Sequence, residues 1–368
     1  VMVFLLQLFF FLFLPAILVM LLFHPQFGGR LKKKHRLAYS RSKHWNGKKF
    51  ENLVETSLNM KPKDMPGLIK AQLTDRKTRA PQKPIPIIPF DEKAWSAEPE
   101  KSKFIWYGHS VGLLKIGGKN LLVDPMLGPD TSPIAPMTTK RFSENALEVI
   151  DSLTRIDAVL YTHDHYDHID LKSVKKLMPK VDNWFVGLGI GRHLKRWKIP
   201  SSKIKEFDWW EGFDFDGVKI TYTPSRHFTG RGPFDRQKTL WGGWNFKTEN
   251  LNVYWSGDGG YGEHFKEIGE RLGPFDHAFM ENGQYNELWR QIHLHPEESV
   301  QAAIDANAKV ATPVHWAGFT LALHPWKEPI ERFTAEAEKK ELQLSTPRIG
   351  QIIELGEPDV EDWWTELN

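Results

Sequence analysis

The feature that most constrains this chain is the segment Tyr161–His168, which reads YTHDHYDH and directly follows the apolar stretch Ile156–Tyr161. An apolar run of this length, bounded by polar residues, predicts a buried β-strand. A loop that leaves a strand can aim alternate side chains at one point, so His163 and His165 would share a direction. Asp167 and His168 would turn toward a neighbouring position. We therefore expect this loop to hold two cations a few ångströms apart, because such a cluster is improbable as a chance polar loop.

Further ligands for two cations must come from distant loops, and three strand ends offer one each. His227 follows the apolar strand near 218–223, Asp258 follows Val253–Trp255, and His315 follows the short strand Lys309–Thr312. The chain has no cysteine, which excludes disulfides, zinc ribbons and thiolate ligands. Any metal must therefore be held by nitrogen and oxygen atoms, a donor set that suits zinc, with manganese or iron also possible.

The order of the elements predicts an α/β protein with two sheets covered by helices. Strands are expected at Phe104–Tyr107, Gly112–Ile116, Asn120–Val123, Ile156–Tyr161, 218–223, 241–246 and 251–255, and helices at 171–179, 187–197 and Pro296–Ala308. Gly117-Gly118 is typical of a hairpin turn. Strands alternating with helices, together with hairpins, favour this layered arrangement.

The first 23 residues are almost wholly apolar, which predicts a transmembrane anchor over Val1–Phe23. A cleaved signal peptide is the alternative, but no small-x-small cleavage site follows Phe23. The next segment, Arg30–Lys49, carries nine lysines and arginines and no acidic residue, so it favours the cytoplasmic side of a membrane. A solvated linker explains this basic segment equally well.

Three regions follow from this organisation. Residues 1–23 are the anchor, residues 24–100 a basic and proline-rich linker that wraps the domain, and residues 101–368 the catalytic domain. Pro81, Pro84, Pro86 and Pro89 cannot lie inside a helix or a central strand, so residues 51–100 are expected to be extended. The formal net charge of +3 is too small to indicate nucleic acid as a partner.

The H-x-H-x-D-H loop, followed in order by His227, Asp258 and His315, resembles the metallo-β-lactamase fold. The resemblance implies a four-layer αβ/βα sandwich with metals at one edge of the two sheets. It also implies that one metal is bound by His163, His165 and His227, the other by Asp167, His168 and His315, with Asp258 between them. The zinc β-lactamases of this fold have a cysteine ligand, so the absence of cysteine disfavours β-lactam hydrolysis.

A narrower resemblance is to the N-acyl phosphatidylethanolamine phospholipase D group, and it covers about residues 100–335. The motifs that carry it are WYGHS (106–110), VDP (123–125), TPSRH (223–227), LWGGW (240–244), SGDGGY (256–261), GPFD (273–276), HxxPEE (293–298) and HW (315–316). Gly259 and His295 depart from the residues that the group often has, but neither removes a ligand.

The resemblance implies a phosphodiesterase that converts N-acyl phosphatidylethanolamine-like lipids to an N-acylethanolamine and a phosphatidic acid. Two zinc ions bridged by Asp258 would share a hydroxide that attacks phosphorus, with Asp258, Asp167 and His315 as the catalytic residues. A phospholipid substrate and a membrane are the expected partners. Two alternatives remain open: a sugar-phosphate lactonase of the same fold, and a catalytically silent membrane scaffold.

Several other residues attract attention in the sequence. Asp124, at a strand end before Pro125, is expected to accept a hydrogen bond from a ligand histidine. Asp164 is a candidate donor of a proton to the leaving group. For His109 and Ser110 a structural role at a strand edge is favoured, and for most of Trp209, Trp210, Trp241, Trp244 and Trp289 buried packing is favoured over an acyl-chain groove. Gln284, Tyr285 and His324 are weaker candidates for contact with a headgroup.

Overall fold

Two β-sheets form the centre of the protein, which we describe from a computed structural model over residues 7, 9–58, 60–74, 76–132 and 139–367. In chain order the strands are β1 (Lys103–Trp106), β2 (Gly112–Ile116), β3 (Lys119–Val123), β4 (Ile156–Tyr161), β5 (Val181–Gly187), β6 (Ile204–Phe207), β7 (Gly212–Phe215), β8 (Val218–Thr223), β9 (Gly243–Lys247), β10 (Asn252–Trp255), β11 (Phe275–Glu281), β12 (Ala308–Val314), β13 (Gln343–Thr346), β14 (Ile352–Glu354) and β15 (Asp359–Val360). The first sheet has the order β14-β1-β2-β3-β4-β5-β6, and the second has β15-β13-β12-β11-β10-β9-β8-β7.

Helices flank the sheets and extend into the N-terminal part of the chain. They are α1 (Leu14–Phe23), α2 (Lys33–Tyr39), α3 (Met65–Leu73), α4 (Glu92–Ser96), α5 (Val149–Ser152), α6 (Leu171–Leu177), α7 (Gly191–Arg196), α8 (His264–Leu272), α9 (Pro296–Asp305) and α10 (Glu328–Lys339).

The alternation of side chains along each strand produces the layers. In β4, Ala158 and Leu160 point into the core between the two sheets, while Val159 and Tyr161 point to the outer face of the first sheet. Helices α5, α6 and α7 cover that outer face, and α8, α9 and α10 cover the outer face of the second sheet. Because successive residues of a strand face opposite sides, the unbroken burial of Ala158–Tyr161 shows that both faces of the first sheet are covered at β4. The predicted α/β fold with two sheets is confirmed.

The parallel strands place their carboxyl ends along one edge of the structure. β3 and β4 are parallel, with Val123 paired to Leu160. β10, β11 and β12 are also parallel, with Trp255 paired to Phe279 and Phe279 to Thr312. The loops that follow these strands therefore meet at the same edge, as the carboxyl ends of parallel strands do in open α/β sheets.

The predicted anchor is only partly visible in the structure, because residues 1–6 and 8 of Val1–Phe23 lie outside the described residues. A π-helix over Phe9–Phe13 leads into α1, which is ten residues long. Within the described residues, no helix is long and apolar enough to cross a bilayer. The predicted transmembrane helix is therefore not supported.

Several residues of the segment before residue 101 pack on the domain. Tyr39, Trp45 and Phe50 lie in the core between the sheets, together with Ile85 from the proline-rich stretch. The expectation of an extended segment over residues 51–100 is wrong at two places, since α3 and α4 lie within it. α3 has a proline in its first turn, a position that proline tolerates because its missing N–H would be unpaired there.

The prediction for residues 187–197 is also corrected. A helix was expected over 187–197, but β5 extends to Gly187 and the helix begins only at Gly191. The left-handed φ of +95° at Gly189 turns the chain between the two elements. The polar residues Asp182 and Asn183 hide β5 in the sequence, because neither residue type favours strands.

The approach of the two sheets at Gly112 gives a test of the packing. A Cβ added at Gly112 would lie 2.4 Å from the buried ring of Trp255 in the facing sheet. We expect Gly112→Ala to lower the free energy of unfolding by about 1 to 3 kcal/mol, measured by urea denaturation, because overpacking forces such a ring to shift.

A matched control is Gly67→Ala, where the added Cβ meets nothing within 4 Å. Gly67 lies inside α3, so alanine there should raise stability by up to about 1 kcal/mol. Equal stability of the two variants would contradict this account of the packing.

Candidate metal centre

Three histidines from two loops form the first group of possible metal donors. His163 Nε2 lies 2.9 Å from His165 Nδ1, and His227 Nε2 lies 3.2 Å from the same atom. Donor atoms of all three side chains lie within 4.8 Å of one another. The structure therefore brings His227 to the loop after β4, although 62 positions separate it from His165 in the chain.

A second group surrounds Asp167 on the other side of the loop. Asp167 Oδ2 lies 3.2 Å from His315 Nε2 and 3.6 Å from His168 Nε2. His109 joins this group, since its Nε2 lies 3.0 Å from the same carboxylate oxygen. The four residues offer donor atoms within 4.8 Å of one another.

Asp258 lies between the two groups. Its Oδ2 is 3.1 Å from both His168 Nε2 and His315 Nε2, and 3.9 Å from His163 Nε2. One carboxylate thus reaches histidines of both groups, as a bridging ligand must. The geometry brings all seven predicted ligands together, and their role in metal binding stays a prediction.

The chemistry of this donor set fits a pair of divalent cations. The donors are imidazole nitrogens and carboxylate oxygens at short mutual distances, which suit zinc, manganese or iron. His163, His168 and Asp258 are almost fully buried, so an ion there would be shielded from solvent.

The backbone at the strand ends is strained where site residues leave the sheets. His109, Asp124 and His315 have φ values of +54°, +42° and +70°, in the left-handed region that residues other than glycine seldom adopt. Such conformations are maintained only where the surrounding structure enforces them, and they are common at functional sites. Here they turn the three side chains toward the same edge of the sheets.

The second sheet holds the carboxyl end of β4 in place. The Tyr222 hydroxyl donates to the Thr162 carbonyl at 2.7 Å, and the Gly242 amide donates to the same carbonyl at 3.1 Å. Trp244 Nε1 donates to the Tyr161 carbonyl at 3.3 Å. Gly242 and Trp244 of the LWGGW motif thus hold the start of the loop 163–168, and both Trp241 and Trp244 of this motif are buried.

Burial makes three of the histidines neutral. It lowers the pKa of His163 and of His227 well below the usual range, and neighbouring imidazoles lower both values further. Burial also lowers the pKa of His165 to about 4. Neutral imidazole is the form that binds a metal ion, so the first group offers its lone pairs at physiological pH.

The second group, together with Asp258, contains side chains that are charged at neutral pH. Burial opposes the charged form of His168, but the carboxylates of Asp258, Asp167 and Asp124 raise its pKa to about 10. Burial likewise acts against ionised Asp167 and Asp258, yet the neighbouring histidines lower the pKa of both well below the usual range. Both carboxylates are therefore ionised at neutral pH and attract cations.

Asp124 has the role that the sequence predicted. Its Oδ2 lies 2.8 Å from His168 Nδ1, and the hydroxyl and backbone amide of Thr162 donate to its two oxygens at 2.6 and 2.8 Å. A carboxylate on Nδ1 directs Nε2 of the same ring toward the centre. The predicted contact of Asp124 with a histidine of this loop is confirmed, and the role of His168 as a ligand stays a prediction.

Sequence reasoning missed Glu281 and His293. Glu281 is buried at the end of β11, where Oε1 lies 3.1 Å from His293 Nδ1 and 3.3 Å from His315 Nδ1. His293 in turn belongs to a possible donor group with His227 and Asp258. The signal for Glu281 is its position at a strand end, as for Asp258, but its partners His293 and His315 come from later parts of the chain and their approach cannot be read from the sequence.

His109 has side-chain contacts in addition to the structural role that was expected for it. Its backbone does pair with Trp316 at a strand edge, as expected, but its side chain contacts Asp167 and packs on the His315 ring, 4.2 Å between centroids. Asp164, in contrast, is buried away from the cavity and accepts hydrogen bonds from Thr239 and Gly230. It is therefore not placed to give a proton to a leaving group.

The centre opens into a cavity of about 330 Å³ with apolar walls. His165, Asp167, Asp258, His293 and His315 lie at its polar end. The apolar lining residues are Leu58, Met60, Phe228, Leu288, Trp289, Ile292 and Leu321. Of the residues suggested for contact with a substrate, Gln284 and Trp289 line this cavity, whereas Trp209, Trp241 and Trp244 are buried.

Comparison with known proteins places the chain in a family and identifies its fold. Residues 119–316 match a family described as beta-lactamase superfamily domain. An uncharacterized protein of Mycobacterium tuberculosis is 35% identical over 321 residues, which are 86% of this chain and 85% of the relative. The N-acyl-phosphatidylethanolamine-hydrolyzing phospholipase D 1 of Caenorhabditis elegans is 32% identical over 267 residues, 68% of this chain and 74% of the relative. A metallo hydrolase of Ignicoccus hospitalis shares the fold, with a TM-score of 0.53 at 18% identity over 71% of this chain and 100% of its own.

The contacts of Asp124 generate a test of the metal centre. In Asp124→Asn, an amide replaces the carboxylate that orients His168, and we expect zinc affinity to fall about 10- to 100-fold. Zinc content after dialysis against a buffered zinc concentration measures the change. Asp170→Asn is the control, because Asp170 caps α6 and asparagine caps a helix equally well. Equal zinc content in both variants would contradict the role of Asp124.

Proposed function

Since the chain belongs to the metallo-β-lactamase superfamily and is a metal-dependent hydrolase, we propose that it is a phosphodiesterase of the phospholipase D type with two zinc ions. Its proposed substrates are N-acyl phosphatidylethanolamine-like lipids. The observation that carries this proposal is a pair of donor groups joined by Asp258 at the polar end of an apolar cavity. The similarity to a relative named for this activity supports it.

In the proposed reaction, water adds to phosphorus and the bond from phosphorus to the ethanolamine oxygen breaks. The N-acylethanolamine leaves with a proton, and the phosphatidic acid keeps the phosphate. Bound zinc would supply an activated water and offset the negative charge on the phosphate oxygens. His163, His165 and His227 would hold one ion, and Asp167, His168 and His315 the other, with Asp258 shared.

The chain's own residues prepare this site before substrate arrives. Asp124 sets the orientation of His168, and Glu281 lies against the outer nitrogen of His315. His109 holds the carboxylate of Asp167. Ligands held in this way cost little reorganisation when charge develops in the transition state.

The cavity walls favour a lipid over a sugar-phosphate lactone. Leu288, Ile292 and Leu321 offer no hydrogen bonds from their side chains to sugar hydroxyls, which would lose their bonds to water on entry. Acyl chains gain free energy on the same surface, about 25 cal/mol for each Å² of apolar area removed from water.

Action at a membrane surface is part of the proposal. Side chains near the N-terminus are apolar and exposed, including Phe11 at 77%. The nine lysines and arginines between residues 30 and 49 follow directly, and a basic segment beside an apolar one attracts anionic lipid headgroups. We propose a membrane-associated enzyme whose basic segment lies on the cytoplasmic side.

The direct test is an assay of the full chain on N-acyl phosphatidylethanolamine vesicles with zinc present. We expect release of phosphatidic acid that a chelator abolishes, and Asp258→Asn should reduce it by at least about a thousandfold if both ions are lost. Hydrolysis of a soluble lactone, without release of phosphatidic acid, would overturn the proposal in favour of the lactonase.

The apolar wall can be tested separately from the metal centre. Leu321→Glu puts a charge on the wall, so kcat/KM for the lipid should fall about tenfold, the effect of losing roughly 1.4 kcal/mol of binding. Hydrolysis of the small soluble diester bis(p-nitrophenyl) phosphate should change less than about twofold, because it does not need the wall.

Ile304→Glu is the matched control for this substitution. Ile304 is 37% exposed and Leu321 is 38% exposed, but Ile304 lies on α9 and does not line the cavity. Equal loss of lipid hydrolysis in the two variants would show that surface charge, and not the cavity wall, is responsible.

A further inference from the structure

Residues 24–29, which we term the N-terminal strap, lie against the elements that support the metal-binding loop. Trp197 Nε1 donates to the Pro25 carbonyl at 2.8 Å. Arg231 Nε donates to the Gln26 carbonyl at 3.0 Å, and Arg192 Nε to the Gly29 carbonyl at 2.9 Å. The strap follows directly on α1, so it connects the apolar N-terminal helix to the domain.

The first route from the strap to the loop passes through His193. The Gly29 amide donates to His193 Nδ1 at 3.0 Å, and His193 Nε2 lies 3.2 Å from Asp164 Oδ2. Because Nδ1 accepts a hydrogen bond, the ring proton of the neutral histidine is on Nε2 and is donated to Asp164. The ring is fully buried, so the two hydrogen bonds fix it from both sides.

Asp164 links the fixed ring of His193 to the proposed metal ligands, because it lies between His163 and His165 in the chain. Its other hydrogen bonds come from the Thr239 hydroxyl at 2.7 Å and the Gly230 amide at 2.9 Å. With its carboxylate held at both oxygens, the backbone between the two ligand histidines has little freedom.

The second route passes through Arg231. Its Nη1 donates at 2.7 Å to the carbonyls of both Asp164 and Ile169, the two ends of the stretch that carries His165, Asp167 and His168. The guanidinium also packs over the Tyr166 ring, 4.0 Å from its centroid. The same side chain holds the strap through Gln26, so one buried arginine joins the two segments.

The close fit of Gly28 shows that the strap has a defined position. Gly28 has φ +70°, and a Cβ added there would lie 1.9 Å from His193 Nδ1. A glycine is therefore needed for the backbone to approach the histidine this closely.

We propose that the N-terminal strap is a positioning element of the metal centre, which acts through His193 and Arg231 on the loop 163–169. Whatever holds or displaces the N-terminal helix then changes the affinity of the centre for metal. The inference rests on the metal-binding part of the proposed function and is independent of the lipid substrate.

Two substitutions at His193 separate the contacts of its ring. Glutamine places a donor near the position of Nε2 and keeps the contact with Asp164, while the acceptor for the Gly29 amide is lost. Asparagine keeps an acceptor near Nδ1 and loses Asp164. We expect both His193→Gln and His193→Asn to raise the zinc dissociation constant about tenfold, the lower end of the effect of residues that support metal ligands. Competition with a chromophoric chelator measures it on the full chain.

His277 is the matched control, because its ring makes the same pair of contacts elsewhere in the fold. The Gly356 amide donates to its Nδ1 at 3.1 Å, and its Nε2 lies 2.8 Å from Thr312 Oγ1. Both rings are fully buried. His277→Gln and His277→Asn should lose similar stability in thermal unfolding, with the zinc dissociation constant changed less than about twofold.

The outcomes distinguish the two proposals. Unchanged zinc affinity in His193→Gln, or a change no larger than in His277→Gln, would overturn the role of the strap while leaving the enzyme's function intact. A wild-type chain that binds no zinc would overturn both.

Hydrogen exchange gives an independent readout that does not depend on any substitution. Coupling between two sites is reciprocal, so removal of zinc should loosen the strap if the strap tightens zinc binding. We expect chelation to raise the exchange rate of the Gly29 amide about tenfold, with no such change at the Gly356 amide. Equal exchange at Gly29 with and without zinc would contradict the proposal.

Discussion

The arrangement of the Asp258 carboxylate among buried histidines is the constraint on which the rest of the structure depends. Its Oδ2 lies 3.1 Å from imidazoles that leave two different strands, β4 and β12. Buried charges are costly unless they are paired, so protons on His168 and His315, whose pKa values are raised, must balance the carboxylates when no metal is bound. In the proposed function, metal ions would replace those protons, so that metal binding and the geometry of this edge would form a single equilibrium.

Surrounding residues turn this equilibrium into a defined geometry. Asp124 and Glu281 stand behind His168 and His315, and His109 stands beside Asp167. Each comes from the end of a different strand or from the residues just after it, and Asp124 and His109 have left-handed φ values that turn the chain sharply. A hydrolase gains from this rigidity because its ligands do not need to reorganise during the reaction.

The part of the chain before the matched family domain contributes side chains to the cavity and contacts the residues that hold the loop after β4. Leu58 and Met60 contribute to the apolar wall of the cavity, and the N-terminal strap reaches the support of the metal-binding loop. Tyr39 and Phe50 lie in the core between the sheets. The division into an anchor, a linker and a domain stays a prediction, but these contacts show that several parts of residues 24–60 pack on the folded unit.

The sequence by itself determined the α/β fold, the main strands and the identity of the candidate ligands, because the relevant signals are local. A histidine-rich loop after an apolar strand, and single histidines or aspartates after later strands, can be read without knowing which strands are neighbours. Asp124 apart, only the tertiary structure decided which side chains support the candidate ligands. Glu281 contacts His315, and His193 and Arg231 contact the loop after β4, from positions that look ordinary in the sequence because their partners are far away in the chain. Strand order and the direction of buried side chains bring them together, and no short stretch of residues encodes either.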